Sequence, residues 1–136
     1  IMKIYFAGSI RGGRQDKELY LKLIKHLSKY GKVLTEHIGN QNLTEKGEDG
    51  PNDQFIYKRD IDWIKEADIV IAEVSTPSLG VGYEISFAEN LNKPILCLHK
   101  GPKLLSSMIA GNKKIKTIKY KDFEDVIKKL EKELSR

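Results

Sequence analysis

Short apolar runs that alternate with stretches of helical periodicity predict an α/β domain built on a parallel sheet covered on both faces. Two observations carry this. Ile69-Val70-Ile71-Ala72 and Ile95-Leu96-Cys97-Leu98 are apolar runs too short for helices and suited to strands buried on both sides. The connections are short, which implies right-handed crossovers that lay each helix back over the sheet. With 136 residues, 40% of them hydrophobic, the chain is long enough for one full core and too short for two ordinary ones, so residues 1–136 read as a single domain.

The elements follow in order. Lys3 to Ala7 is the first strand, running into the loop Gly8-Ser9-Ile10-Arg11-Gly12-Gly13-Arg14. A helix to Tyr30 follows, striped by Tyr20, Leu23, Ile24 and Leu27, with Gly31 as its C-terminal cap. Lys32 to His37 is the second strand. Residues 38–53 are polar, hold three glycines and a proline, and keep no periodicity, which points to a functional lid or an unstructured segment. Gln54 to Ala67 is a helix whose buried face holds Ile56, Trp63, Ile64 and Ala67. Asp60 lies on that face. The third strand is Ile69 to Ala72, and the fourth runs from Pro94 to His99. Leu104 to Ala110 is a short helix closed by Gly111, Ile115 to Tyr120 a fifth strand, and Phe123, Val126, Ile127, Leu130 and Leu134 mark a last amphipathic helix.

The organising stretch is Ser75-Thr76-Pro77-Ser78-Leu79-Gly80-Val81-Gly82-Tyr83-Glu84, read as a glycine-punctuated turn before a helix that starts with a carboxylate. Phe87, Ala88 and Leu91 lie three, four and seven residues beyond Glu84 and place it on the packed stripe. A carboxylate there is costly to bury, and the helix N-terminus offsets part of the cost. Ligands in open α/β sheets bind beyond the carboxyl ends of the strands, so the Gly8–Arg14 loop, His37, the Ser75–Gly82 turn and His99 are expected along one edge.

Each feature also has a structural reading. The first loop suits anion capture at a helix start, yet it matches neither the dinucleotide nor the Walker pattern, and tight turns explain its glycines about equally well. Asp60 alone reads as a satisfied core carboxylate, Tyr5 as core, and His37 and His99 as packing residues. Two carboxylates on different helices at one sheet edge shift the balance toward chemistry. One attacking an anomeric carbon and the other, kept protonated, donating to the leaving group is the arrangement of glycosidic bond cleavage.

Composition narrows the alternatives. The net charge of +5 comes mostly from lysines after residue 92. Glutamates and aspartates are interleaved with them and no aromatics are spaced for base stacking, so a nucleic-acid polymer is not the expected partner. Of the four arginines, Arg11 and Arg14 share the first loop, where bidentate phosphate contact is the natural use. Cysteine and histidine spacing supports no metal site, and no cofactor motif is present. No run is long enough to span a membrane, no basic-then-apolar leader precedes Lys3, and Cys97 sits within an apolar run. The expectation is a cytoplasmic protein without disulfides.

Tyr5 through Gly13, Gly31 through His37, Ala72-Glu73-Val74, Pro77 through Glu84, Lys93 through Leu98 and Leu105 through Ile109 together resemble the 2'-deoxynucleoside 5'-phosphate N-hydrolases of the nucleoside 2-deoxyribosyltransferase family. The resemblance runs from about Tyr5 to Ile109 and is weaker after Gly111. It implies a three-layer flavodoxin-like or Rossmann-like fold with a central five-stranded parallel sheet, and hydrolysis of deoxynucleoside monophosphates to free base and 2-deoxyribose 5-phosphate. Glu84 would be the nucleophile at C1', oriented by Tyr5, while Asp60 would assist departure of the base and then activate water. Ser9, Arg11 and Ser78 would bind the 5'-phosphate, joined by Ser106 from the second subunit of a homodimer. Ile10 and His37 would sit near the base, with Gly8, Gly12, Gly80 and Met108 completing the substrate site. Base exchange between deoxynucleosides and non-catalytic nucleotide binding are the alternatives.

Overall fold

The computed structural model describes residues 2–10, 16–39 and 52–135. Five strands, β1 (Met2–Ala7), β2 (Gly31–Val33), β3 (Ile69–Glu73), β4 (Ile95–Lys100) and β5 (Ile115–Tyr120), pair in parallel in the order β2-β1-β3-β4-β5. This is the flavodoxin-like order, with its switch point between β1 and β3. Helices α1 (Lys17–Leu27) and α5 (Phe123–Leu134) cover one face, and α2 (Asp53–Glu66) and α3 (Leu79–Asn90) cover the other. The two-residue period of the strands sorts the core. Ile4, Phe6, Ile71, Leu96 and Leu98 pack with α1 and α5, while Tyr5, Ala7, Val70, Ala72 and Cys97 pack with α2 and α3. No helix among the described residues is long and apolar enough to cross a membrane.

Five local readings change. Gly31 does not cap α1, which ends at Leu27 with Ser28 as its cap. It opens β2, where a Cβ would stand 2.1 Å from the Met2 carbonyl oxygen, so close strand approach is what requires glycine here. The second strand is shorter than expected because Thr35 takes over from the ladder: its Oγ1 accepts from Phe6 N–H at 2.9 Å and donates to Phe6 C=O at 2.6 Å. The chain then turns through a 3-10 segment, Glu36–Gly39, carrying His37, and Ile38 is buried rather than part of a polar loop.

α3 begins at Leu79, five residues before the expected carboxylate. Ser78 caps it, its Oγ accepting from Val81 N–H at 3.3 Å. Gly80 and Gly82 therefore lie inside the helix, and Glu84 stands in its second turn, beyond the strongest reach of the terminal dipole. Finally, the helix expected over residues 104–110 is the single turn α4 (Ser107–Ala110), capped by Ser106 and closed by Gly111. Leu104 and Met108 are 94% and 83% exposed, leaving no apolar stripe to hold a longer helix.

Candidate active site

A cavity of about 730 Å³ opens at the β1/β3 switch point, walled by Gly8, Ile10, His37, Asp60, Ser78 and Glu84 among others. Its size falls within the range of small-molecule sites. Gly80 also lines it. Tyr57 and Tyr83 stand on its wall with their rings edge to face, centroids 6.3 Å apart and hydroxyls 3.4 Å apart.

The alternation of β1 turns Tyr5 toward α3, where its hydroxyl donates to Glu84 Oε2. Burial, followed by the charges of Glu84 and Asp60, pushes the Tyr5 phenol far above its ordinary value, so Tyr5 remains the donor. Glu84 borders the cavity and is half-buried. Desolvation pushes its carboxyl up to about 7; the Tyr5 hydrogen bond and the Arg59 charge pull downward, and the Asp60 charge pushes further up. A carboxyl poised near neutrality is the outcome.

Asp60, half-buried, pairs with the neighbouring Arg59. Nε and Nη2 of the guanidinium both reach Asp60 Oδ1 at 3.0 Å, and Nη2 also lies 3.2 Å from His37 Nε2. Arg59 is packed between Phe55 and Trp63, one turn before and one turn after it on α2, at 5.8 and 4.8 Å from the ring centroids. Of the two carboxyls expected to divide the chemistry, Glu84 carries the raised pKa, whereas Asp60 is held in an ion pair.

At the other end of the cavity, the first turn of α3 presents the N–H groups of Leu79 and Gly80, which have no intrahelical acceptor. A Cβ on Gly80 would meet only Ser78 Oγ, at 4.0 Å, so the helix tip stands open. Ser9 is fully buried with no partner for its hydroxyl among the described residues. Its backbone N–H is held by the Tyr20 hydroxyl at 3.1 Å, and the Tyr20 ring lies 2.9 Å from where a Gly8 Cβ would be. Thr76 ties the turn after β3 to the start of α1 through Asp16 at 3.0 Å.

The remaining expectations divide. Arg11, Gly12 and Arg14, with the middle loop from 40 to 51, lie outside the described residues. Ser106 and Met108 are exposed on α4 and do not line the cavity. His99 is buried in β4, away from the cavity wall, so the histidine expected beside His37 is not part of this site. Among the described residues no cluster of His, Cys, Asp or Glu converges as a metal site.

Two residues escaped sequence reasoning. Arg59 had a signal in the Phe55, Arg59, Trp63 repeat at four-residue spacing. Glu73 ends β3 on the opposite sheet face, fully buried. It accepts from Ser75 N–H and Oγ–H at 2.8 Å each and from the Tyr120 hydroxyl at 2.5 Å. Ser75 Oγ in turn accepts from Lys100 N–H at 2.8 Å, fixing the start of the turn that leads to Ser78.

Fold and site together define a class: an α/β domain of flavodoxin-like order with a tyrosine-bonded carboxylate facing a second, ion-paired one across a switch-point cavity. The chain belongs to the nucleoside 2-deoxyribosyltransferase family, whose profile matches residues 4–126. It is 52% identical over 111 residues to the 5-hydroxymethyl-dUMP N-hydrolase of Mus musculus, covering 79% of this chain and 64% of that protein, just under two thirds of its length. It is 47% identical over 126 residues to the 5-hydroxymethyl-dUMP N-hydrolase of Danio rerio, covering 91% and 88%. The solved CMP N-glycosidase of Clostridium botulinum shares the fold, with a TM-score of 0.73 and 24% identity over 96% of this chain and 98% of that one.

The desolvation of Glu84 has a consequence for stability. Its folded pKa of about 7 lies above the ordinary 4.5, so no penalty exists below pH 4.5, where both states are protonated. Stability is lost as pH rises through this interval, and the loss, on the order of 2–3 kcal/mol, is complete above about pH 7. Glu84→Gln keeps an acceptor for Tyr5 without the charge. The variant is expected to melt several degrees above the parent at pH 8 and at nearly the same temperature at pH 4, by scanning calorimetry. Equal shifts at both pH values would contradict a desolvated carboxylate.

Proposed function

We propose that this protein hydrolyses the N-glycosidic bond of 2'-deoxynucleoside 5'-monophosphates, releasing free base and 2-deoxyribose 5-phosphate through a covalent ester on Glu84. The hydrogen bond from Tyr5 to a cavity-facing Glu84 carries this reading, because it fixes one carboxylate oxygen and aims the side chain at a ligand-sized space. Family membership and the N-hydrolase names of the relatives support it. In the first half reaction Glu84 attacks C1' as the base departs. In the second, Asp60 takes a proton from the water that attacks C1', and the ester bond breaks to restore the Glu84 carboxylate.

Phosphate recognition favours the hydrolase over base exchange between unphosphorylated nucleosides. The open N-terminus of α3 on this crevice, and next to the cavity-lining Gly8 a Ser9 hydroxyl without a partner among the described residues, support an anion-binding end. A site built for a charged group leaves those donors unmet when the phosphate is missing. Exposed Leu79, Tyr83, Leu104 and Met108, 56% to 95% accessible, support a second copy of the chain as their cover. In that homodimer Ser106 of one subunit would complete the phosphate end of the other. A cytoplasmic setting suits a nucleotide substrate.

Chromatography of each deoxynucleoside monophosphate incubated with the protein is expected to show base and sugar phosphate, with the matching deoxynucleosides at least ~100-fold slower. Glu84→Gln should lose ~1000-fold or more of kcat while retaining nucleotide binding. The wild-type rate should rise with pH through about 7 as Glu84 ionises. Intact nucleotides, or near-normal turnover by Glu84→Gln, would refute the assignment.

The dimer has its own check. Light scattering should give twice the chain mass, and Ser106→Ala should raise KM for the monophosphate more than it lowers kcat. A fully active monomer would exclude a shared site.

A further inference from the structure

Ser9 and the N-terminus of α3 lie on separate segments, one following β1 and the other following β3. A chain of hydrogen bonds to which the mechanism above gives no task joins them. It starts at Asp16, the N-cap position of α1. An aspartate there ordinarily accepts from the first N–H groups of its own helix. Asp16 makes no such bond, and its Oδ2 accepts instead from the Thr76 hydroxyl at 3.0 Å. The Asp16 carbonyl accepts from Tyr20 N–H at 2.9 Å, and the Tyr20 hydroxyl accepts from Ser9 N–H at 3.1 Å. One turn of helix therefore connects Thr76 to the Ser9 loop. On its other side Thr76 follows Ser75, whose N–H and hydroxyl are held by the buried Glu73 carboxylate at 2.8 Å each, while Glu73 is anchored by the Tyr120 hydroxyl at 2.5 Å. Pro77 comes next, then Ser78, the cap of α3. The proline ring fixes its own φ and restricts Thr76 before it, so few free torsions separate Thr76 from the helix tip.

We infer that the Asp16–Thr76 hydrogen bond is a latch that holds the Ser9 loop and the N-terminus of α3 at the separation a phosphate requires, which makes Asp16 and Thr76 positioning residues for phosphorylated substrates. This rests on the phosphate reading given above and names the residues that hold that end of the site together. Neither side chain is on the cavity wall, so both act through the segments they join. The bond is partly buried, which limits the competition from water. A phosphate that takes donors from two segments binds best when both are already in place, because ordering one of them on binding subtracts from affinity. The reacting end of the site has other supports. The body of α3 is packed through Val81, Ile85 and Ala88, and Glu84 is bonded to Tyr5 of β1. Loss of the latch therefore weakens phosphate binding and leaves the bond-breaking step nearly as it was. Substrates without a phosphate do not sense it.

The test is a double-mutant cycle on the intact protein with Thr76→Val, Asp16→Ala and the two combined, and with Asp16→Asn as the conservative variant. Binding of inorganic phosphate and of 2-deoxyribose 5-phosphate is measured by titration calorimetry, and kcat and KM are measured for a deoxynucleoside monophosphate and its deoxynucleoside. Thr76→Val and Asp16→Ala should each weaken both phosphate ligands and raise KM for the monophosphate by ~5- to 10-fold, with kcat within ~2-fold and the deoxynucleoside rate unchanged. The double variant should lose no more than either single one, since both remove the same bond. Asp16→Asn removes the charge but keeps an acceptor for Thr76, so it should stay within ~3-fold of the wild type and separate the latch from a general effect of charge. Unchanged phosphate affinity in Thr76→Val, losses that multiply in the double variant, or an equal loss on the deoxynucleoside would overturn the inference, and so would a wild type that binds neither phosphate ligand. The binding series decides the latch without turnover. A wild type that binds both ligands but cleaves no monophosphate would remove the hydrolase reading and leave the latch standing. If Asp16→Ala fails to fold, Thr76→Val set against Asp16→Asn carries the same decision.

Discussion

A carboxylate kept partly out of water by a phenol is the constraint on which the site depends. The hydrogen bond from Tyr5 to Glu84 joins a central strand to a helix of the covering layer, so it exists only while β1 keeps its register. Ile4 pairs with Ile69 and Tyr5 with Val70. A slip of one residue would turn Tyr5 toward α1 and send Ile4 or Phe6 to the cavity side. The apolar pattern that sets the register of the core thereby also sets the position of the Glu84 carboxylate.

Two buried-type carboxylates on adjacent elements show how environment assigns roles. Glu73 accepts three hydrogen bonds on the α1/α5 face and is sealed from solvent, which makes it a fixed strut for the turn after β3. Glu84 has the Tyr5 bond, borders a cavity and carries a raised pKa. The first costs little because its demand for partners is met. The second is held at a cost in desolvation, which marks it as a candidate for chemistry. Moving the start of α3 back to Leu79 sharpens this contrast, since the helix tip is released from Glu84 and becomes available to an anionic ligand.

Much of this was legible in the residues. The five strands and the main amphipathic helices follow from apolar runs and the 3.6-residue period, and the gathering of Gly8, His37, Ser78 and Glu84 follows from the rule that α/β sheets bind ligands at one edge. What failed was local. Thr35 shortens a strand through a side-chain bond that no periodicity encodes. Gly31 looked like a cap because strand crowding and helix termination both select glycine. Ser78 was the true helix start, obscured by two glycines that ordinarily mark turns. His99 follows the same strand-end logic as His37 yet is buried away from the cavity. Arg59 was passed over because a lone arginine on a polar helix face is ordinarily solvated, and its aromatic neighbours become meaningful only once Asp60 is placed at the cavity.

Tyr5, Glu84, Asp60 and Arg59 thus form one electrostatic unit, in which a protonated phenol steadies a carboxylate near its pKa while an ion pair faces it. Covalent attack by Glu84 is the central claim. The most direct measurement is mass spectrometry of protein quenched in acid during turnover of a deoxynucleoside monophosphate, followed by peptide mapping. The expected result, in the wild type and more abundantly in a slow Asp60→Asn variant impaired in activating water, is one 2-deoxyribose 5-phosphate per chain on the peptide that contains Glu84, absent from Glu84→Gln protein. An unmodified Glu84 peptide during rapid turnover, with the slow Asp60→Asn variant equally bare, would contradict it.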